Sequence, residues 1–338
     1  MAGYWKKFKK DLRDIYEFYV DDETRGRVDS KGWFVRFIQR LYYILKNFLT
    51  KLNPFRKVVF ILALIFLVST NNNQGGNQQD LAGYLLLFLL LLELKDKLLV
   101  RRELEAGRAV QETLIPKTLP KIPGWDIWLY TSPANDVGGD LVDYLKINDH
   151  KHLFILADMA GKGLGAALLT SKLQATLRAI ASADKSLEET AAKLNRIFYR
   201  DVMKKNFATL IIAELDNKTN QLNYINAGHL PPLKISGEKI AEQKKGDPAI
   251  GLSSETKYGL IKAPLNKNEI FLVYSDGITE ARRQDGLFFG DKSLHDILHS
   301  HSSLSSAKLG DKIIKKVKEF LGESDPTDDI SLLIIRRE

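Results

Sequence analysis

The 338-residue chain contains no cysteine. Disulfides, thiolate nucleophiles and cysteine-ligated zinc are therefore excluded, and the composition suits a reducing compartment. Histidine is scarce as well. Six scattered residues form no HExxH or comparable helical pair, so any metal has to rest on carboxylates. Apolar runs long enough for an ordinary membrane span are missing too. The two main ones, residues 58–68 (VVFILALIFLV) and 81–92 (LAGYLLLFLLLL), have eleven and twelve residues. At about 1.5 Å per helical residue, each covers roughly 17 Å of a ~30 Å hydrocarbon core. No cleavable signal peptide is expected, since the charged N-terminus leads into DLRDIYEFYVDDETRGR rather than an apolar core. What remains is 44% hydrophobic and 27% charged, which is the balance of a globular chain.

Charge is unevenly spread. Residues 1–57 hold eight Lys and six Arg against seven Asp and Glu, so +7 of the formal +8 sits there. A basic face of this kind suggests nucleic acid first, but the neighbouring apolar runs point elsewhere, and no nucleic-acid partner is expected. Trp33, Phe34, Phe37, Ile38, Leu41, Ile44, Leu45 and Phe48 recur at three- and four-residue steps among Lys and Arg. That pattern predicts a basic amphipathic helix lying on anionic membrane lipid. Between Lys57 and Glu93 the only charge is Asp80, and basic residues flank both sides. The pattern predicts two short membrane helices in a hairpin, with both ends at the cytoplasmic face of the inner membrane. Two buried core helices are the alternative. Four segments are thus expected: a basic juxtamembrane segment (1–57), a membrane hairpin (58–92), a linker or dimerisation helix (93–116) and a soluble domain (117–338).

Residues 93–116 are rich in Leu, Glu, Arg and Ala and read as a helix ended by Pro116, Pro120 and Pro123. Val100, Leu104, Gly107, Gln111 and Leu114 follow a four-three spacing, which Gly107 and Gln111 weaken as a coiled-coil seam. Beyond it, GWDIWLYTSP, DLVDYLKI and KHLFILAD read as consecutive antiparallel strands. Two amphipathic helices follow, the second with Ser186 as N-cap and Glu189 three residues on. NFATLIIAELD, QLNYINAGHLPPLKI and EIFLVYSD return to strands, SAKLGDKIIKKVKEFLG is helical, and DDISLLIIRR closes as a strand. Such an order predicts a layered α+β domain.

Four aspartates stand where strands begin or end. Asp140 follows Gly138-Gly139 and opens a strand; Asp158 ends LFILA ahead of a glycine-rich turn; Asp276 ends IFLVYS; Asp328 precedes the last strand. An antiparallel pairing of the Asp276 and Asp328 strands would put both acids at one sheet end. Converging carboxylates repel unless cations neutralise them. Oxygen-only donors favour Mg2+ or Mn2+, and two such ions can bind phosphate and activate a water as nucleophile. The turn AGKGLGAA lacks the spacing of a phosphate-binding P-loop.

Seven segments, in order, resemble one family: AVQETLIPKTLP, SPANDVGGDLVDY, ILADMAGKGLGAALL, FATLIIAELD, INAGHLPPL, LVYSDGITEAR and DPTDDISLLII. Together they resemble the SpoIIE/RsbU-type branch of the PPM metal-dependent serine/threonine phosphatases over about residues 103–337. The resemblance implies an αββα sandwich of two central antiparallel sheets with two Mn2+ or Mg2+ ions at one end. It implies that Asp158 bridges the ions, with the Met159 backbone carbonyl as a further ligand, and that Asp276, Asp328 and Asp140 complete the site. Asp328 rather than Asp329 matches the ligand position. Asp143, Gly161, Lys162, His229 and Gly277 fall in the same motifs as candidates for positioning the site. The implied substrate is a phosphorylated STAS-domain protein in a partner-switching pathway, and the implied assembly is a homodimer through the linker helix. Two alternatives stand beside it: a nucleotide cyclase, since Gly138-Gly139-Asp140 resembles the start of GGDEF, and a pseudophosphatase scaffold.

Overall fold

The computed structural model describes residues 5, 13, 15–29, 31–68, 76–116, 118, 119, 121–202 and 205–338. The polar stretch 71–75 and Pro120 lie outside the described residues. Two compact units result, Met1–Val100 and Arg101–Glu338.

The first unit is helical: α1 (Asp22–Asp29), α2 (Trp33–Lys51), α3 (Pro54–Val68) and the larger part of α4 (Gly76–Leu114). The amphipathic pattern of residues 33–48 does form a helix, α2, and its aromatic residues Trp33, Phe34 and Phe37 are exposed. Arg56, at the start of α3, holds two acids of α4, with its Nη1 2.8 Å from Glu93 Oε1 and its Nη2 2.5 Å from Asp96 Oδ2. The expected membrane location is corrected here. Among the described residues no helix is long and apolar enough to cross a membrane. The reason is length: α3 has 15 residues, or about 22 Å of helix against a ~30 Å core. The apolar run of α4 lies between Asp80 and Glu93, beyond which the helix turns strongly charged. With the location goes the expectation that residues 58–92 cross the membrane as a helical hairpin.

Among its described residues the second unit is built on ten strands: β1 (Trp125–Ser132), β2 (Leu141–Lys146), β3 (Lys151–Met159), β4 (Ala208–Asp216), β5 (Gln221–Ala227), β6 (Leu233–Ser236), β7 (Lys239–Glu242), β8 (Ile261–Lys262), β9 (Ile270–Tyr274) and β10 (Ile330–Arg337). They form two antiparallel sheets, ordered β1-β10-β9-β6-β7 and β2-β3-β4-β5-β8. Side chains alternate across each strand. On β3, Phe154 and Leu156 enter the layer between the sheets with Tyr224, Phe271 and Leu333. Ile155 and Ala157 face the other way, onto α5 (Gly163–Ile180) and α6 (Leu187–Asp201). Opposite, α8 (Gly290–His301) and α9 (Ser306–Leu321) cover the first sheet through Leu294, Ile313 and Val317. A one-turn helix, α7 (Asp276–Thr279), follows β9. The layers are therefore αββα, as the resemblance implies.

Two details differ from the sequence expectation. β1 does not continue into a meander with β2 and β3 but pairs along its length with β10 in the other sheet. QLNYINAGHLPPLKI is not one strand either; it breaks at Gly228, and its halves join different sheets. The N-cap of α6 is as expected, with Ser186 Oγ accepting from Glu189 N–H and Glu189 accepting from Ser186 N–H. Gly310 lets α9 approach β1 closely, because a Cβ there would run into the Trp128 ring. Gly310→Ala should therefore destabilise the second unit by about 1–3 kcal/mol through overpacking, read as a lowered urea midpoint; an unchanged midpoint would contradict this packing.

Candidate active site

β9 and β10 run antiparallel, with Tyr274 opposite Leu332. Asp276 leaves the end of one strand where Asp328 and Asp329 enter the other, as strand geometry demands. Ser275 ties the two ends: its N–H donates to Ser331 O, and its Oγ donates to Asp329 O while accepting from Ser331 N–H. In the second sheet Asp140 sits just before β2, while Asp158 lies near the end of β3 opposite Thr209. The Met159 carbonyl faces the glycine turn, 3.5 Å from where a Cβ of Gly139 would stand.

Asp329, to which the sequence assigns no role, joins the two sheet ends. Its side chain is buried and accepts three backbone N–H bonds: from Ala134 at 2.7 Å, Gly139 at 2.6 Å and Asp140 at 3.1 Å. The carboxylate seats itself in the turn that carries Asp140, and Gly138 leaves it room. Gly277 has a matching function, since a Cβ there would collide with the Asp329 carbonyl. The aspartate pair thus divides its work. Asp328 faces outward, its Oδ2 2.8 Å from Lys162 Nζ, while Asp329 faces inward and holds the turn. Adjacent side chains of an extended segment point to opposite sides, and the bare letters DD do not say which faces which.

Electrostatics mark the same place. Burial, then Asp276, Asp328 and Asp329, push the Asp158 carboxyl up to about 6. Asp140 is raised well above the carboxylate range by burial and by Asp158, against a smaller opposing pull from the Ser331 hydroxyl. Burial and Asp328 raise Asp276. The sealed Asp140 Oδ2 has no hydrogen-bond partner among the described residues. Yet the acids do not form a ready-made coordination sphere: among the described residues no group of three or more His, Cys, Asp or Glu is close enough to hold one ion. Like charges repel, and the acids settle on separate partners, Asp328 on Lys162 and Asp329 on backbone N–H groups.

The other positioning candidates separate by contact. Asp143 does not touch the four acids. It is fully buried and takes both arms of Arg178, at 2.8 and 2.7 Å. Arg178 Nη2 and Gln174 Nε2 also donate to Leu114 O, bracing the C-terminal end of α4. Gly161 and Gly163 take φ of +108° and +72° on either side of Lys162, a conformation that favours glycine. His229 links the sheets: its Nδ1 accepts from Thr209 Oγ1 on β4 at 2.8 Å, and its Nε2–H donates to Tyr274 O on β9 at 3.1 Å. Gln111, which a heptad reading treats only as a flaw, bonds Gly138 in both directions. Its Nε2 donates to Gly138 O at 3.1 Å and its Oε1 accepts from Gly138 N–H at 3.2 Å.

Two consequences are measurable. Asp329→Ala strands three buried N–H groups and should cost on the order of 3 kcal/mol; Asp329→Asn, which keeps one acceptor, should cost less. Faster amide exchange at Gly139 and Asp140 in both variants would locate the effect, and unaltered exchange would refute it. For His229, burial holds the imidazole down at about 4, so the folded state keeps it neutral. Its stabilising contribution is full above the ordinary histidine value and is lost as pH falls from about 6.5 towards 4, on the order of 3 kcal/mol. The raised Asp140, Asp158 and Asp276 act with the opposite sign. The difference in unfolding free energy between wild type and His229→Gln isolates the histidine, and a pH-independent difference would refute its neutrality.

Comparison with known proteins bears on the family and the fold. The model of the SpoIIE family, stage II sporulation protein E, matches residues 148–338. Protein IcfG of Synechocystis sp. is 29% identical over 268 residues, covering 70% of this chain and 42% of IcfG. Phosphoserine phosphatase RsbU of Bacillus subtilis is 25% identical over 241 residues, 71% of either protein. The chain thus matches less than half the length of one relative and about seven-tenths of the other. Among solved structures, the SiaA-PP2C domain of Pseudomonas aeruginosa shares the fold, with a TM-score of 0.63 at 22% identity over 72% of this chain and 98% of that domain. On its matched motifs, sheet topology and family model, the chain belongs to the SpoIIE family, in the SpoIIE/RsbU-type branch of the PPM phosphatases.

Proposed function

We propose that the chain is a metal-dependent phosphoserine/phosphothreonine protein phosphatase acting on a STAS-domain protein in a partner-switching pathway. The observation that carries this reading is the meeting of Asp140, Asp158, Asp276 and Asp328 at adjoining ends of two sheets, with three of them raised by burial and mutual repulsion. The donor set suits hard divalent ions: it is all oxygen, and one sealed oxygen of Asp140 lacks a partner among the described residues. Asp140, Asp158, Asp276, Asp328 and the Met159 carbonyl would hold two Mn2+ or Mg2+ ions. When bound, such ions neutralise the carboxylates, polarise the phosphoryl group and make water acidic enough to attack it near neutral pH.

The remaining residues hold this set in place. Asp329 fixes the turn that presents Asp140, and Gly277 lets α7 approach it. His229 ties the strand that ends in Asp276 to the sheet that carries Asp158. The catalytic domain would comprise residues 117–338. Residues 93–116 would serve as a dimerising linker, and Gln111 would link that helix directly to the Asp140 turn. The phosphoserine specificity named for RsbU supports the substrate class.

The full-length protein should release phosphate from a phosphorylated STAS-domain protein when Mn2+ or Mg2+ is supplied. Asp276→Ala should lower turnover by about a hundredfold or more, the scale for losing one electrostatic element of a site. Turnover that survives the substitution would remove Asp276 from the site.

A further inference from the structure

Four acids are candidates for ligating divalent ions, and one of them already carries a cation. Lys162 Nζ lies 2.8 Å from Asp328 Oδ2 and donates to Thr327 O, also at 2.8 Å. Among the described residues it is the one side-chain cation within ion-pair distance of any of the four. Asp158, Asp276 and Asp140 carry no such partner there; the shifts of all three are dominated by burial and neighbouring acids.

We propose that Lys162 is a built-in counter-cation for Asp328, which a divalent ion must displace before Asp328 can ligate it. This inference rests on the reading of Asp328 as a metal ligand. Three features support it. First, the pair is on the rim, with the lysine and aspartate side chains 60% and 39% exposed. An exposed ion pair of this kind is weak and can be exchanged. Second, Lys162 stands between two glycines at positive φ and at the N-terminal boundary of α5. Its four-carbon stem is flexible, so the ammonium can leave by side-chain rotation alone. Third, a single charge on Asp328 offsets part of the repulsion among the acids but leaves Asp140 Oδ2 without a partner. A doubly charged ion with several open coordination positions can serve both needs.

Lys162 therefore weakens metal binding while keeping the ion-free acids from repelling one another fully. Removing it should tighten binding. Calorimetric titration of Mn2+ into the ion-stripped full-length protein should give a dissociation constant about fivefold lower for Lys162→Gln than for wild type. Lys162→Arg, which retains the charge, should stay near wild type. A second measurement uses the unmutated chain: mass-spectrometric labelling of Lys162 with an amine-reactive ester should speed up on addition of Mn2+, as the ammonium leaves Asp328. Equal or weaker Mn2+ binding by Lys162→Gln, or a labelling rate indifferent to Mn2+, overturns the inference while leaving the metal site intact. A raised KM with unchanged Mn2+ affinity also overturns it, by assigning the lysine to substrate phosphate. If neither wild type nor the variant binds Mn2+ saturably, the metal reading fails and takes this inference with it.

Discussion

One buried carboxylate holds the site together. Asp329 stands at the start of β10 in one sheet, yet its oxygens are claimed by Ala134, Gly139 and Asp140 in the turn that opens β2 in the other. Backbone N–H groups converging on an anion form a compact, charge-assisted nest. Such bonds are worth more than neutral ones because a buried carboxylate left without them is so costly. Beyond the His229 link between Thr209 and Tyr274, the sheets pack through apolar side chains such as Phe154, Tyr224 and Phe271, which resist separation but tolerate sliding. Asp329 supplies the direction that packing lacks: it sets the height of Asp140 against Asp276, and so the spacing of the whole acidic set.

That spacing has an electrostatic cost. Asp158 lies under the influence of Asp276, Asp328 and Asp329 together. No arrangement of carboxylates alone relieves this, and the Ser331 hydroxyl beside Asp140 offsets only part of it. The fold bears the strain because it has further anchors. His229 crosses between sheets as a neutral ring, Asp143 is ion-paired with Arg178, and the helices bury continuous apolar faces. Part of the unit's stability thus lies apart from the proposed site. The acids carry repulsion that cations relieve, and the rest of the unit holds them there meanwhile.

Much of this was legible in the sequence, and the exceptions have physical causes. Alternating apolar letters revealed nearly every long strand, and the Ser186–Glu189 box marked the start of α6. Asp276 and Asp328 could be placed at one sheet end because antiparallel pairing of neighbours leaves little choice. The sheet of β1 could not be read that way, since its partner β10 lies some two hundred residues later and local pattern carries no sign of it. The inward role of Asp329 was hidden for a related reason, as its partners come from residues 134–140. At the N-terminus the letters misled outright. Apolar runs framed by basic residues look like a membrane hairpin, but α3 is only 15 residues long and α4 becomes charged after its apolar run.

Gln111 ties the C-terminal part of α4 to the turn that carries Asp140. One side-chain amide grips both backbone polar groups of Gly138, so a shift of α4 near Gln111 must either carry the turn along or break two hydrogen bonds. Neutral bonds of this length are each worth about 1 kcal/mol net. The clamp can therefore transmit about 2 kcal/mol, a factor of roughly thirty in any equilibrium it biases, within the usual range of coupling between sites. Braces at Leu114 from Gln174 and Arg178 keep the end of the helix registered on α5. Gly138, two positions from Asp140, would feel a shift of the helix first, and the Asp329 nest would feel it next. The turn is held from two sides, by a neutral amide that can let go and by a buried charge that cannot.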